Sequence, residues 1–106
     1  MSNKKIFELQ AEVCKALAHP LRIEIIELLD DQEFNFADIQ LATGELKSNL
    51  SQHLGLMVKI GILHSRKEGQ NTYFSITSKK VTKACFLMRE VLADHLKSQK
   101  KLLAKL

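Results

Sequence analysis

Between Phe36 and Ile60 the helical pattern of apolar residues is broken once, at Gly44, and then resumes. Phe36 to Thr43 places Ile39, Leu41 and Ala42 on a short helix, and Gly44 supplies the left-handed residue that commonly ends one. After the connection GELK, residues 47–60 carry Leu50, Leu54, Met57 and Val58 at helical spacing, and Gly61 is the next stop. Two helices joined by a short Gly-containing turn read as a helix-turn-helix over residues 36–60.

The flanking segments extend this unit in both directions. Residues 3–17 place Ile6, Leu9, Val13, Cys14 and Leu17 on one helical stripe. His19-Pro20 breaks it, because proline disfavours helix in the residue before it and suits the first turn of the next helix. That second helix turns Leu21, Ile25, Ile26, Leu28 and Leu29 inward and Arg22, Glu24 and Glu27 outward, and DDQEFN follows as a polar connection. Downstream, ILHSRK and TYFSIT alternate in polarity about the turn EGQN, which predicts a β-hairpin over 62–77. From Ser78 onward there is no Gly or Pro. One long helix is expected there, capped by Thr77 or Ser78, with Val81, Cys85, Met88, Leu92, Leu96, Leu102 and Leu103 on its apolar side. The fold is mainly α with a small β-hairpin, in the order α-α-α-α-β-β-α: a winged helix-turn-helix. Residues 1–106 form a single domain, since 106 residues suit one compact unit.

The polar side of residues 47–60 is unusual for a solvated helix. It carries Ser48, Asn49, Ser51 and Gln52, with Lys59 further on, where Glu and Lys would be ordinary. Short hydroxyl and amide side chains at the start of the second helix are what major-groove reading needs. Asn49 and Gln52 can pair with a base edge in two places, while Ser48, Ser51 and Lys47 suit phosphate or base. His53 has two readings, a half-buried packing residue or a base or phosphate contact. In the hairpin, Arg66, Lys67, Gln70 and Asn71 surround the turn and could reach the DNA backbone. A net charge of +4 and a pI of about 9.2 favour a polyanionic partner only weakly. The lysines near the C-terminus read as an ordinary solvated face.

Three motifs together resemble the ArsR/SmtB family of bacterial winged-helix repressors. KALAHPLRIEIIELL carries Ala18 and Arg22 in the family's A-x-x-R spacing, Ser51-Gln52-His53-Leu54 matches its recognition-helix segment, and Arg66-Lys67, Gly69 and Tyr73 match its wing. The resemblance covers roughly residues 13–77 in order. It implies a homodimer joined through the first and last helices, residues 1–17 and 78–106. It also implies binding to an inverted-repeat operator in double-stranded DNA, and release by an inducer or a thiol or redox signal. Two positions depart from the family pattern. Leu46 enters the recognition helix where a small hydroxylated residue is usual, and Gly55 stands where a basic residue is common.

Many members of that family sense metals, but the family's ligand sets do not carry over. Its thiolate site near the third helix would fall on Phe34–Leu41, which holds no cysteine. Its site on the last helix would fall on about Ser78, Lys80, Val91 and Asp94, and lysine and valine cannot replace imidazole or carboxylate. Cys14, Cys85, Glu90, Asp94 and His95 are scattered donors that would need both subunits to form a site, so no cofactor is expected, with a metal held between subunits as the alternative. Cys14 and Cys85 are too few for a disulfide framework; they are either reduced core thiols or a redox pair.

The histidines His19, His53, His64 and His95 fall on different elements, and no phosphate-cradling Gly loop or nucleophile elbow is present, so the chain is not expected to be an enzyme. The first residues lack the apolar run of a signal peptide, and the longest apolar run, Ala84 to Met88, is far short of a membrane span of about 20 residues. A cytoplasmic location is the default. The competing function is a winged-helix protein–protein interaction module that does not read DNA sequence.

Overall fold

The computed structural model describes residues 3–106. Helix α1 spans Asn3–Leu17, α2 Pro20–Leu28, α3 Phe36–Thr43, α4 Lys47–Ile60 and α5 Lys79–Ala104; strand β1 spans Phe34–Asn35, β2 Leu63–Glu68 and β3 Asn71–Ile76. The five helices and the hairpin stand in the order the pattern predicts, and the hairpin gains a third strand.

That extra strand is β1. The segment DDQEFN reads as a polar connection in sequence, yet Phe34 pairs with Phe74 and Asn35 with Tyr73, antiparallel, in a sheet ordered β1-β3-β2. A two-residue strand is too short to show alternation, and its partner lies some 40 residues away, so local pattern cannot reveal it. Asn35 also begins α3: its Oδ1 accepts from the Asp38 N–H at 2.8 Å.

The core is one cluster. Leu21, Ile25, Ile26 and Leu29 of the α2 region meet Ile39 of α3, Leu50, Leu54 and Met57 of α4, and Leu63 and Phe74 of the hairpin. The hairpin register puts Leu63 opposite Ile76 and Ser65 opposite Phe74 on the inner face, and His64, Arg66 and Tyr73 on the outer. In α3 only Ile39 is buried; Leu41, grouped with it by composition, is 86% exposed.

Helix ends follow the expected chemistry with one exception. Gly44 and Gly61 take positive φ, 69° and 91°, and stop α3 and α4. Ser78 caps α5 by accepting from the Lys80 N–H at 3.2 Å, while Thr77 instead donates to the Gly61 and Ile62 carbonyls. Leu46 occupies the N-cap of α4 with no side-chain bond, and the helix still starts at Lys47.

Two helices lie largely outside the core. Among the described residues, Ala16 is the only buried residue on α1 and Thr82 the only one on α5. Ile6, Leu9 and Val13 on α1, and Met88, Val91, Leu92 and Leu96 on α5, are exposed in the single chain. The radius of gyration is 16.8 Å, against about 13 Å for a compact domain of this length. The accessible surface is 7988 Å², against roughly 6,000 Å² for a compact monomer of this mass. Among the described residues, no helix is long and apolar enough to cross a membrane.

Candidate nucleic-acid interface

Successive residues of an α-helix are rotated by about 100°, so positions 48, 51, 52 and 55 share one side of α4. All four are exposed, as are Lys47 and Lys59, while Leu50, Leu54 and Met57 fill the opposite side. Core packing therefore fixes which stripe faces out: Ser48, Ser51, Gln52 and Gly55. Among the described residues, Lys47, Ser48, Ser51 and Gln52 make no side-chain hydrogen bond, so their polar atoms are free for a partner.

Asn49 sits differently. It is half-buried, and its Nδ2 donates to Glu45 Oε1 at 2.8 Å. Sequence reasoning pairs Asn49 with Gln52 as base readers; the fold ties Asn49 to the turn and leaves Gln52 as the outward amide. The bond also organises the entry to α4, where Gln40 Nε2 donates to the Glu45 carbonyl at 3.2 Å. These contacts brace the turn that lacks a side-chain cap at Leu46.

His53 follows Asn49 by four residues and lies on the same inward flank. Its Nδ1 accepts from Arg22 Nε at 3.0 Å, and its ring centroid is 4.4 Å from that of His19. Burial, then the neighbouring His19 and Arg22, pushes the imidazole below its ordinary value. Of the two readings open in the sequence, the structure supports packing; the ring is already engaged inside the chain. Arg22, visible in sequence only as a motif position, is the residue that engages it.

The wing closes the other side of the face. An open groove of about 580 Å³ runs between α4 and the hairpin, with Lys47, Ser51 and Gly55 on one bank, Gln70 and Asn71 on the other, and Leu54 and Phe74 below. Five of the residues singled out in sequence, Lys47, Ser51, Gln70, Asn71 and the departure Gly55, thus border one concavity. Lys67 is exposed on β2.

Arg66 is not free in the same way. Its Nε and Nη2 grip both oxygens of Glu33, at 2.8 and 2.6 Å, and Nη1 meets Glu68 at 2.6 Å. The guanidinium also lies 4.5 Å from the centre of the Tyr73 ring. The bidentate grip holds the Glu33 carboxyl below its usual range, and the two carboxylates hold the guanidinium charged. Arg66, assigned to phosphate by its charge, also joins the hairpin to the segment leading into β1 while its side chain stays exposed. Glu33, which carries no sequence signal, is its main partner.

The cysteines converge elsewhere. Cys14 and Cys85 line one open, mostly apolar cleft of about 720 Å³ among α1, α2 and α5, together with Leu17, Ile23 and Met88. Both are free thiols. Burial, then Glu27, pushes the Cys85 thiol up, which disfavours the reactive thiolate. Arg89 at the cleft pairs with Glu27 at 2.5 Å and links α5 to α2. The Ser78 hydroxyl is spent capping α5, Lys80 is a cation, and no three His, Cys, Asp or Glu side chains among the described residues stand close enough to hold an ion.

No protein-family model matches the chain. It is 34% identical over 94 residues to the uncharacterized HTH-type transcriptional regulator Rv0081 of Mycobacterium tuberculosis, covering 88% of this chain and 82% of that protein. The crystal structure of Rv0081 superposes with a TM-score of 0.80, over 89% of this chain and 95% of that one. A homodimeric winged helix-turn-helix DNA-binding domain from Mycobacterium bovis, Mb0332, described as "a possible ArsR-family transcriptional regulator", is 30% identical with a TM-score of 0.78 over 92% of each chain. The biofilm growth-associated repressor of Xylella fastidiosa is 29% identical over 70 residues, 66% of this chain and 61% of that protein. With helix-turn-helix, wing and outward polar stripe in place, these relationships make the chain a member of the ArsR family of winged helix-turn-helix transcriptional regulators.

Proposed function

We propose that two copies of this chain join through α1 and α5 and repress transcription by binding an inverted-repeat operator in the cytoplasm. The observation that carries the reading is the outward stripe of α4. Ser48, Ser51 and Gln52 are exposed and unengaged, and Ser51 borders a groove with Lys47, Gln70 and Asn71. A protein–protein module has no need of short amides and hydroxyls at the start of this helix; the major groove does. The apolar residues left bare on α1 and α5 supply the surface for a second copy. A two-fold pair reads half-sites about 10–10.5 bp apart, or a multiple of that.

In this reading Gln52 reads a base, Ser48 and Ser51 serve base or phosphate, and Lys47, Lys67, Gln70 and Asn71 hold the backbone. Asn49 and His53 support the reading surface from its half-buried flank, and Arg66 braces the wing from the outer face of the hairpin. Release comes from an inducer or thiol signal arriving at the cleft of Cys14 and Cys85, where α1 and α5 meet α2. No cofactor takes part.

Selection of duplexes from a random-sequence library by the purified protein tests the reading. The expected product is an inverted repeat whose affinity falls steeply with salt, because phosphate contacts release counterions. No enriched sequence, or binding indifferent to salt, would leave the interaction-module reading. For the signal, peroxide treatment followed by thiol titration and binding decides: unchanged affinity with both thiols still titratable removes the cysteines from the mechanism.

A further inference from the structure

The end of α1, the start of α2 and the middle of α4 meet at one side chain. Arg22 donates through Nη1 to the carbonyls of Lys15 and Ala16, at 3.3 and 3.4 Å, and through Nε to Nδ1 of His53 at 3.0 Å. One guanidinium thus holds carbonyls from the last turn of α1, which a helix cannot satisfy within itself, and a side chain of the recognition helix. The His19 ring lies beside that of His53, tilted by 49°, and is itself fixed as the N-cap of α2, its Nδ1 accepting from the Leu21 N–H at 3.1 Å. Because both Nδ1 atoms accept, each neutral ring carries its proton on Nε2.

We propose that Arg22 is a positioning residue for operator binding, which holds His53 and thereby fixes the angle between the dimerisation helix α1 and the recognition helix α4. The proposal rests on the DNA-binding reading above. In a two-fold pair, α1 belongs to the joint and α4 to the reading surface, so any freedom between them blurs the spacing of the two reading faces. An arginine suits the task because its rigid fork donates in two directions at once; a lysine, with one flexible ammonium, cannot reproduce that fork. The bond also needs an unprotonated Nδ1. The groups that face this ring are His19 at the α1–α2 junction, Arg22 on α2 and Glu45 in the turn before α4. With burial, the first two keep it neutral, and protonation would remove the acceptor and turn Arg22 into a like-charged neighbour.

The test uses the duplex that wild-type protein enriches from a random library and a scrambled duplex of equal length. His53→Leu keeps the volume and removes the acceptor; His53→Asn offers a carbonyl oxygen near the place of Nδ1. His53→Leu is expected to lose about tenfold in affinity for the enriched duplex, the scale of a charged hydrogen bond, with little change on the scrambled one. His53→Asn should restore most of it, and Arg22→Lys should behave as His53→Leu does. A folded, dimeric His53→Leu that binds as wild type overturns the proposal, as does a His53→Asn equally weak at unchanged melting temperature. If His53→Leu does not fold, acidification decides. Lowering pH from about 7 to about 5 passes through and below the ordinary imidazole range, where a ring held below its ordinary value gains its proton. It should shrink the enriched-to-scrambled ratio of wild type and leave that of His53→Asn flat; equal slopes overturn the proposal. A wild type with no preference for any duplex would instead defeat the operator reading itself.

Discussion

Gln52 and Asn49 carry side-chain amides of the same chemistry three residues apart, and the fold separates their roles. Gln52 shares the outward stripe with Ser48 and Ser51, whereas Asn49 turns toward the Glu45 carboxylate. Gln52→Ala is therefore expected to relax base preference at one position in each half-site, costing about 1–3 kcal/mol against the preferred base. Repeating the library selection with the variant reads this directly; an unchanged preference logo would remove Gln52 from readout. Gly55 belongs to the same stripe but has no role in helix formation. Nothing lies within 4 Å of the place its Cβ would take. Gly55→Ala should raise unfolding stability by about 1 kcal/mol, the cost of glycine in a helix interior, as measured by urea titration.

At the level of elements, the wing is held by charge as well as by backbone pairing. Arg66 joins β2 to the Glu33 segment that leads into β1, across a sheet whose edge strand has only two residues. Glu33 has a carboxyl held below its ordinary value of 4.5 by that grip. A depressed carboxyl stabilises the fold above its unfolded value, and the contribution is lost as pH falls from about 4.5 through the lower folded one. Acid titration of wild type should thus show a wing-associated loss in that window that Glu33→Gln lacks, read from the Tyr73 signal. Lys67, exposed and without such a partner among the described residues, is the better probe of phosphate contact. Lys67→Ala should weaken binding to all duplexes alike and lower the salt slope by about one.

The whole molecule is elongated because α5 runs past the core. A span of 60 Å with bare leucines along its terminal helix leaves apolar surface that a monomer would hold in water. Covering it with a second copy explains how a chain of 106 residues keeps both a small core and two long apolar helices. Leu92→Glu with Leu96→Glu should give monomers by sedimentation with the hairpin and α4 intact. Affinity for an inverted repeat should then drop by at least about a hundredfold, since linked half-sites bind with a high effective concentration. A dimer that survives both changes would place the joint elsewhere.

Local pattern was enough to place the helices, their glycine stops, the hairpin and the polar start of α4, because each depends on residues within one or two turns of one another. It also carried the family resemblance, whose motifs are short and ordered. What it could not supply were contacts between segments far apart in the chain: β1 on β3, Glu33 on Arg66, and Arg22 on His53, each separated by some 30–40 residues. Charge and residue type alone assigned Arg66 to DNA and left His53 open between packing and a DNA contact. Only the tertiary structure brought a carboxylate to the exposed Arg66 and a guanidinium to the half-buried His53, because a polar group's role is set by the partner the fold places beside it.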